Sequence, residues 1–396
     1  GTSGPISDTV QPEPAPDPAA LPGLVTIYSG NSTEDRPIVN GVDLVNGDGL
    51  VWIKNRTGSY GNQLIDTVRG FDPNNGQALY LESNLAQQQY SNGGLMDRFT
   101  TVGFNLNAGQ TVNKQGYDYV AWTFGKAAGY FDIVEFTTSN ATTFQTVPHS
   151  LGTMPGFIIT KEIGGEGDWY CYHSAIGDGG YLTLNTNALS TSFDLWRTSD
   201  TDFQIKVSSL YGDGNEIIAY LFAEDTPGVI KCGSYIGNGS NNGPTITTGF
   251  EPQWLLIKKA IPNSGYDFTS SWVILDNKRN PSNPRNSVLF PDQASPENTT
   301  TSNNVTFNSD GFTIGSSNED INGTNNTLIY VAIAAPPPAR SQTNEEFVET
   351  TAKFISYDNR RDIKVGEEAK GKRSDLITEA ENLGLTQEQI TKLFND

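Results

Sequence analysis

The feature that most restricts the fold is a set of strand signatures that recurs three times, in one order, between residues 24 and 342. Each copy opens with an aromatic strand and a turn rich in Gly, Asn, Ser and Thr: IYSGNSTEDRPIVNG (27–41), EFTTSNATTFQTVPHSLG (135–152) and SYIGNGSNNGPTITTGF (234–250). Each continues with an apolar strand that reaches a lysine: LVWIKN (50–55), GFIITKE (156–162) and WLLIKK (254–259). Each closes on an apolar run: YVAWTF (119–124), IIAYLF (217–222) and LIYVAI (328–333). Between these, LIDTVRG (64–70), DWYCYHSAI (168–176) and WVILDNKRN (272–280) correspond, as do ALYLESNLAQ (78–87), GYLTLNTNALS (180–190) and SVLFPDQASPE (287–297). Self-similarity of this kind marks a repeat architecture, here with a unit of about 100 residues.

The segments are short, rich in β-branched and aromatic residues, and bounded by Gly, Asn, Asp or Pro, which is the pattern of strands joined by turns. The closing runs are apolar on both faces, as in a central strand covered on both sides. The expected fold class is therefore mainly β: three tandem antiparallel β-sandwich (jelly-roll-like) modules at residues 24–131, 132–230 and 231–342. The short links GKAAGYFD (125–132) and AEDTPGVIK (223–231) predict stiff, beads-on-a-string packing.

Residues 1–23 form a Pro-rich linker, since QPEPAPDPAALPG (11–23) has fixed φ angles and few apolar side chains to bury. Residues 343–396 change character and carry far more charge. There Leu376, Ile377, Ala380 and Leu383 have helical spacing, Gly384 is placed to end the helix, and Thr386 with Gln389 matches a capping box before Ile390, Leu393 and Phe394. This predicts a small α-helical segment whose apolar residues Leu376, Leu383, Ile390, Leu393 and Phe394 are candidates for docking onto a partner. Gly1 in place of Met is what a fragment or processed product would show.

A formal net charge of −20 argues against contact with nucleic-acid phosphates or anionic lipid. No apolar run is long enough for a membrane-spanning helix, so no membrane insertion is expected. The two cysteines, Cys171 and Cys232, fall on different modules and are expected as free thiols. No cofactor is expected, and no acidic loop has the spacing of a dedicated Ca²⁺ site. The chemistry-bearing side chains are sparse. His149 and His173 are the only histidines, and neither recurs in the other modules. Cys171 and His173 share a strand face, but no third ligand for a metal is evident. Glu162, Glu166 and Asp168 lie in a glycine-rich loop, where a glycosidase pair would need a defined separation. No catalytic residues are expected. The remaining handle is aromatic: Tyr60, Tyr90, Trp196, Tyr211 and Tyr266 fall near turn signals, where rings beside amides suit stacking on sugars.

The YxGNG-type turn of YIGNGSNNG, the stretches TVPHSLGTMPGFIITK and GYLTLNTNAL, the strand DWYCYHS and the close IIAYLFA running into KCGSYIGNG together resemble repeat modules of tail-fibre-like and other virion proteins of tailed bacteriophages, marine ones in particular. The resemblance covers about residues 24–342 and leaves out the charged tail. It implies a non-enzymatic structural protein on the virion surface, assembled in the host cytoplasm. Such a protein acts as a tail fibre or spike, displaying loops for attachment to host polysaccharide. Other virion proteins and further copies of itself, in a homo-oligomer such as a trimer, are the implied partners. A capsid decoration or head fibre, a glycan depolymerase and an extracellular adhesin or filament subunit are the alternatives.

Overall fold

The computed structural model describes residues 24–139, 144–206, 210–262 and 269–335. The Pro-rich segment 1–23, Tyr266 and the predicted helical segment with Leu376, Leu383, Ile390, Leu393 and Phe394 lie outside the described residues.

The protein is mainly β, with every strand pairing antiparallel. The first third of the chain gives β1 (Val25–Ser29), β2 (Arg36–Val39), β3 (Gly49–Asn55), β4 (Asn62–Asp66), β5 (Ala78–Glu82), β6 (Tyr90–Asn92), β7 (Met96–Thr100), β8 (Gly103–Leu106) and β9 (Asp118–Gly125). These make a large sheet in the order β1-β9-β3-β4-β5-β6 and a small sheet in the order β2-β8-β7. The second third repeats both sheets. Its large sheet joins β10 (Phe131–Thr137), β12 (Pro155–Glu162), β13 (Tyr170–His173), β14 (Gly180–Thr183), β15 (Thr191–Ser192) and β18 (Glu216–Ala223), and its small sheet joins β11 (Gln145–Pro148), β16 (Trp196–Thr198) and β17 (Asp202–Ile205). In the last third β19 (Asp225–Thr226), β20 (Ile230–Ile236), β26 (Thr327–Ala334), β22 (Pro252–Ile261) and β23 (Val273–Asp276) form the large sheet. There β21 (Thr245–Thr247), β24 (Val305–Asn308) and β25 (Gly311–Ile314) form the small one. Phe131 and Ile230 open the first long strands of the second and third sheets, pairing with Phe222 and Ile333, one residue before the boundaries read from the sequence.

Strand alternation explains how each module is filled. In β3, Val51 and Ile53 point toward the small sheet and pack with Ile38, Phe104 and Leu106. Leu50 and Trp52, on the opposite face, join a different core. The same division holds in β22, where Leu255 and Ile257 fill the third sandwich while Trp254 and Leu256 turn away from it. The outward faces of all three large sheets meet in one continuous apolar core. Phe124 of β9 lies 5.2 Å from Phe222 of β18 and 5.6 Å from Trp254 of β22, so one ring from each module meets at a single point. The modules are therefore not beads on a string. They close on one another about a shared centre, and this is what covers the second apolar face of each closing strand.

The seams between modules are related in the same cyclic way. Asp66, at the end of β4, bonds Arg69 through Nε (2.6 Å) and accepts from the hydroxyl of Tyr220 on β18 (2.8 Å). Asp276, at the end of β23, repeats this with Arg279 and accepts from Trp122 Nε1 of β9 (3.2 Å). His173 stands at the matching register of the second module, since Leu50, Phe157 and Trp254 pair with Asp66, His173 and Asp276. It reaches Tyr330 O of β26 at 3.1 Å. Module one thus contacts two, two contacts three, and three contacts one.

A second cycle runs the other way. Trp169 Nε1 donates to Glu82 O and Leu85 O, Trp272 Nε1 to Thr183 O, and Asn62 Nδ2 to Phe290 O and Gln293 O. The carbonyls belong to the three segments that correspond in sequence, 78–87, 180–190 and 287–297.

The register also fixes two ends. The chain enters at Leu24, whose carbonyl accepts from Thr123, and leaves at Ala334, whose N–H reaches Val229 O. Both links between modules, after Gly125 and after Ala223, turn at this same end, termed here the root end. The hairpin after β3 and the turns that follow β1 and precede β9 lie at the other, the loop end.

Candidate functional site

Three lysines mark the loop-end side of the shared core. Trp52, Ile159 and Leu256 pair with Trp122, Tyr220 and Val331, and two residues further on stand Lys54, Lys161 and Lys258. All three are fully buried. Each ammonium is held by main-chain carbonyls: Lys54 by Tyr60 O and by Ala294 O of the third module (2.9 Å), Lys161 by Glu162 O (2.6 Å) and Gly165 O (2.8 Å), and Lys258 by Ser270 O. Burial pulls all three down to about 8. A buried ammonium donating to loop carbonyls fixes the turn that follows it. The lysine at the end of each apolar strand was the sequence signal for this, although its burial was not legible from type alone.

The histidines are occupied. Leu151 N donates to His149 Nδ1 (3.3 Å), so the other nitrogen carries the proton and faces Ser199 O at 3.2 Å. His173 is used identically by Ala175 N (3.1 Å) and Tyr330 O, and burial lowers it to about 4. With both ring nitrogens committed to main chain, neither imidazole is poised as a base. Burial raises the thiols of Cys171 and Cys232, which keeps them from forming thiolates. Glu162 folds over Gly165, and Asp168 accepts from Asn185 (2.8 Å), so these two carboxylates of the loop lie against its turn. Among the described residues, no three His, Cys, Asp or Glu side chains gather as metal ligands would.

The aromatic candidates separate into two kinds. Trp196 and Tyr211 are buried, which corrects their reading as loop aromatics. Trp196 begins β16 and packs in the second module against Tyr172 and Phe203. Tyr211 sits edge-on to Tyr170, and its hydroxyl meets Thr160 Oγ1 at 2.8 Å inside the same core. Turn residues flank both in the sequence, but both rings pack inward. Tyr90 is 42% exposed on β6, 6.2 Å from Tyr80. Tyr60 is half-buried in the hairpin between β3 and β4, at the loop end.

Tyr60 has a partner that sequence reasoning missed. Tyr117, just before β9, stands edge-on to it with ring centroids 5.9 Å apart. Lys114 Nζ lies 4.9 Å from the Tyr117 ring, and the Tyr60 hydroxyl is 3.4 Å from Gln110 Oε1. Both supporting loops are pinned. Asn55 Oδ1 accepts from the N–H groups of Thr57 and Gly58, while the Tyr119 hydroxyl accepts from Lys114 N and donates to Gln110 O. Asn113 further ties Arg36 and Thr33 O to the same loop. The two tyrosines are distant in sequence, so only the hairpin register brings them together.

A model for the family described as Domain of unknown function (DUF7483) matches residues 24–337, a span that takes in all three modules as one unit. No curated protein matches the chain.

Proposed function

We propose that this chain, which belongs to the DUF7483 family, is a non-enzymatic structural protein on the surface of a tailed-phage virion, of tail-fibre or spike type, that presents its loop end to the host. The observation that carries this reading is the placement of the two ends of the described body. Entry at Leu24 and exit at Ala334 share the root end with both inter-module links, which leaves the opposite end free to carry turns. A protein anchored through its flanking segments would hold that face outward. The resemblance of the strand signatures to those of tail-fibre-like modules supports a virion context, and the committed histidines favour binding over turnover. Copies repeated on one particle would add avidity to weak contacts with surface polysaccharide.

Antibodies against residues 24–337, with gold labelling and electron microscopy of the particles whose genome encodes the chain, test the reading. Label on the tail is the expected result, and label on the capsid would move the same display role to a head fibre. Unlabelled particles would overturn it.

A further inference from the structure

The near-threefold repetition of the body allows each position to be compared between modules. The second module has no counterpart of the Tyr60–Tyr117 pair. Ile53 pairs with Gln63 and Thr160 with Tyr170, so the hairpins they close are of equal length and Gly167 occupies the position of Tyr60. Asp118, Glu216 and Thr327 open the three closing strands, so Asn215 and Asn326 precede them where Tyr117 stands in the first module. The second module thus closes without either ring, and the third without a tyrosine at the position of Tyr117.

Their setting is built. Gly58 lies beneath them, and a Cβ there would come within 2.7 Å of Tyr117 Cε1 and 2.8 Å of Tyr60 Cε2. The rings therefore close over a position that only glycine leaves open. The loops beneath are held by the buried side chains of Asn55, Asn113 and Tyr119, so little freedom remains to be lost on binding. Around the half-exposed rings stand the amide of Gln110, the phenol of Tyr60 and the ammonium of Lys114. An apolar ring face bordered by donors and acceptors matches a pyranose, which has one C–H-rich face and a rim of hydroxyls.

We infer that Tyr60 and Tyr117, with Gln110 and Lys114, form a carbohydrate subsite for a neutral hexose unit of a surface polysaccharide. The inference rests on the display reading and gives it a location, the loop end of the first module. The formal net charge of −20 sets the choice of a neutral over an acidic sugar, since long-range repulsion disfavours a polyanionic chain.

Calorimetric titration of the full chain with neutral oligosaccharides (β-1,3-glucan, β-1,4-glucan and α-mannan hexamers) and with an alginate hexamer tests it. Saturable binding of at least one neutral hexamer is expected, weakened about tenfold or more in Tyr60→Ala and Tyr117→Ala and unchanged in Tyr90→Ala. Melting temperatures of all variants are measured alongside. The milder Tyr60→Phe and Gln110→Ala, which leave the ring pair in place, should still weaken binding if either alanine variant unfolds. Neutral-sugar binding that survives all four substitutions would move the site elsewhere and leave the display reading intact. Binding of alginate alone, or of no hexamer, would overturn the subsite. Particles that carry label in the microscopy while no hexamer binds would separate that failure from failure of the display role.

Discussion

The lysines at 54, 161 and 258 show how one residue type can be made to serve the main chain. Each sits two positions beyond an inward-facing apolar residue, so strand alternation sends its stem into the core and its ammonium to the carbonyls of the next turn. Burial costs the charged form, which is why all three lie near 8 against a usual 10.5. The linkage sign is the reverse of that for a paired lysine. Between pH 8 and about 10 the unfolded chain holds protons that the folded chain has shed, so stability rises with pH. Above that range the buried hydroxyls of Tyr130, Tyr220 and Tyr235, raised by burial, stay protonated only in the folded state, and the trend turns downward. The melting temperature should therefore climb by roughly 1–3 °C from pH 7.5 to pH 9.5. In a variant combining Lys54→Met, Lys161→Met and Lys258→Met that climb should vanish, as followed by scanning calorimetry across the series.

At the level of strands and turns, the Asp-x-x-Arg pairs are the firmest seams. Asp66 and Arg69 close a tight turn after β4, and Asp276 and Arg279 close its counterpart after β23, all with side chains out of water. Each aspartate then takes one more proton donor from a neighbouring module, so a local turn also sets the docking of a whole sheet. Asp66→Ala leaves Arg69 charged, buried and unpaired. Urea denaturation should register a loss of about 3–5 kcal/mol. Tyr220→Phe, which removes only the cross-seam hydrogen bond, should cost about 1 kcal/mol.

Much of this level was readable beforehand. The three sets of strand signatures, their order and the corresponding middle segments were visible because turns and strand periods are local properties. The doubly apolar closing strands already required a cover on both faces. What covers the second face was not visible, because Phe124, Phe222 and Trp254 meet only after three sheets are placed in space. The candidate site divided along the same line. Tyr60 and Tyr90 do keep exposed surface near their turns, whereas Trp196 and Tyr211 were misread because a flanking turn does not reveal which way a ring folds. Tyr117 was overlooked because its partner is remote in the chain.

For the body from Leu24 to Ala335, the shared core makes the modules interdependent. A lone first module would expose Leu50, Trp52, Leu64, Leu81, Val120, Trp122 and Phe124 together on one sheet face, an apolar patch of the kind that drives association. Residues 24–125 expressed alone should accordingly aggregate or lack fixed tertiary structure. The span 24–337 should unfold in one transition, with tryptophan fluorescence and far-ultraviolet circular dichroism giving coincident midpoints. Separate midpoints for the two signals would show instead that the modules melt one at a time.

The closed cycle of seams also has a bearing on inheritance. In a string of independent domains, recombination can exchange any bead without consulting its neighbours. Here every module offers one partner an aspartate or histidine and another a tryptophan or asparagine, and all three share a single knot of rings. A foreign module would have to match two seams and the centre at once. The smallest heritable cassette is therefore the complete triplet, within which only outward-facing turns are free to diverge.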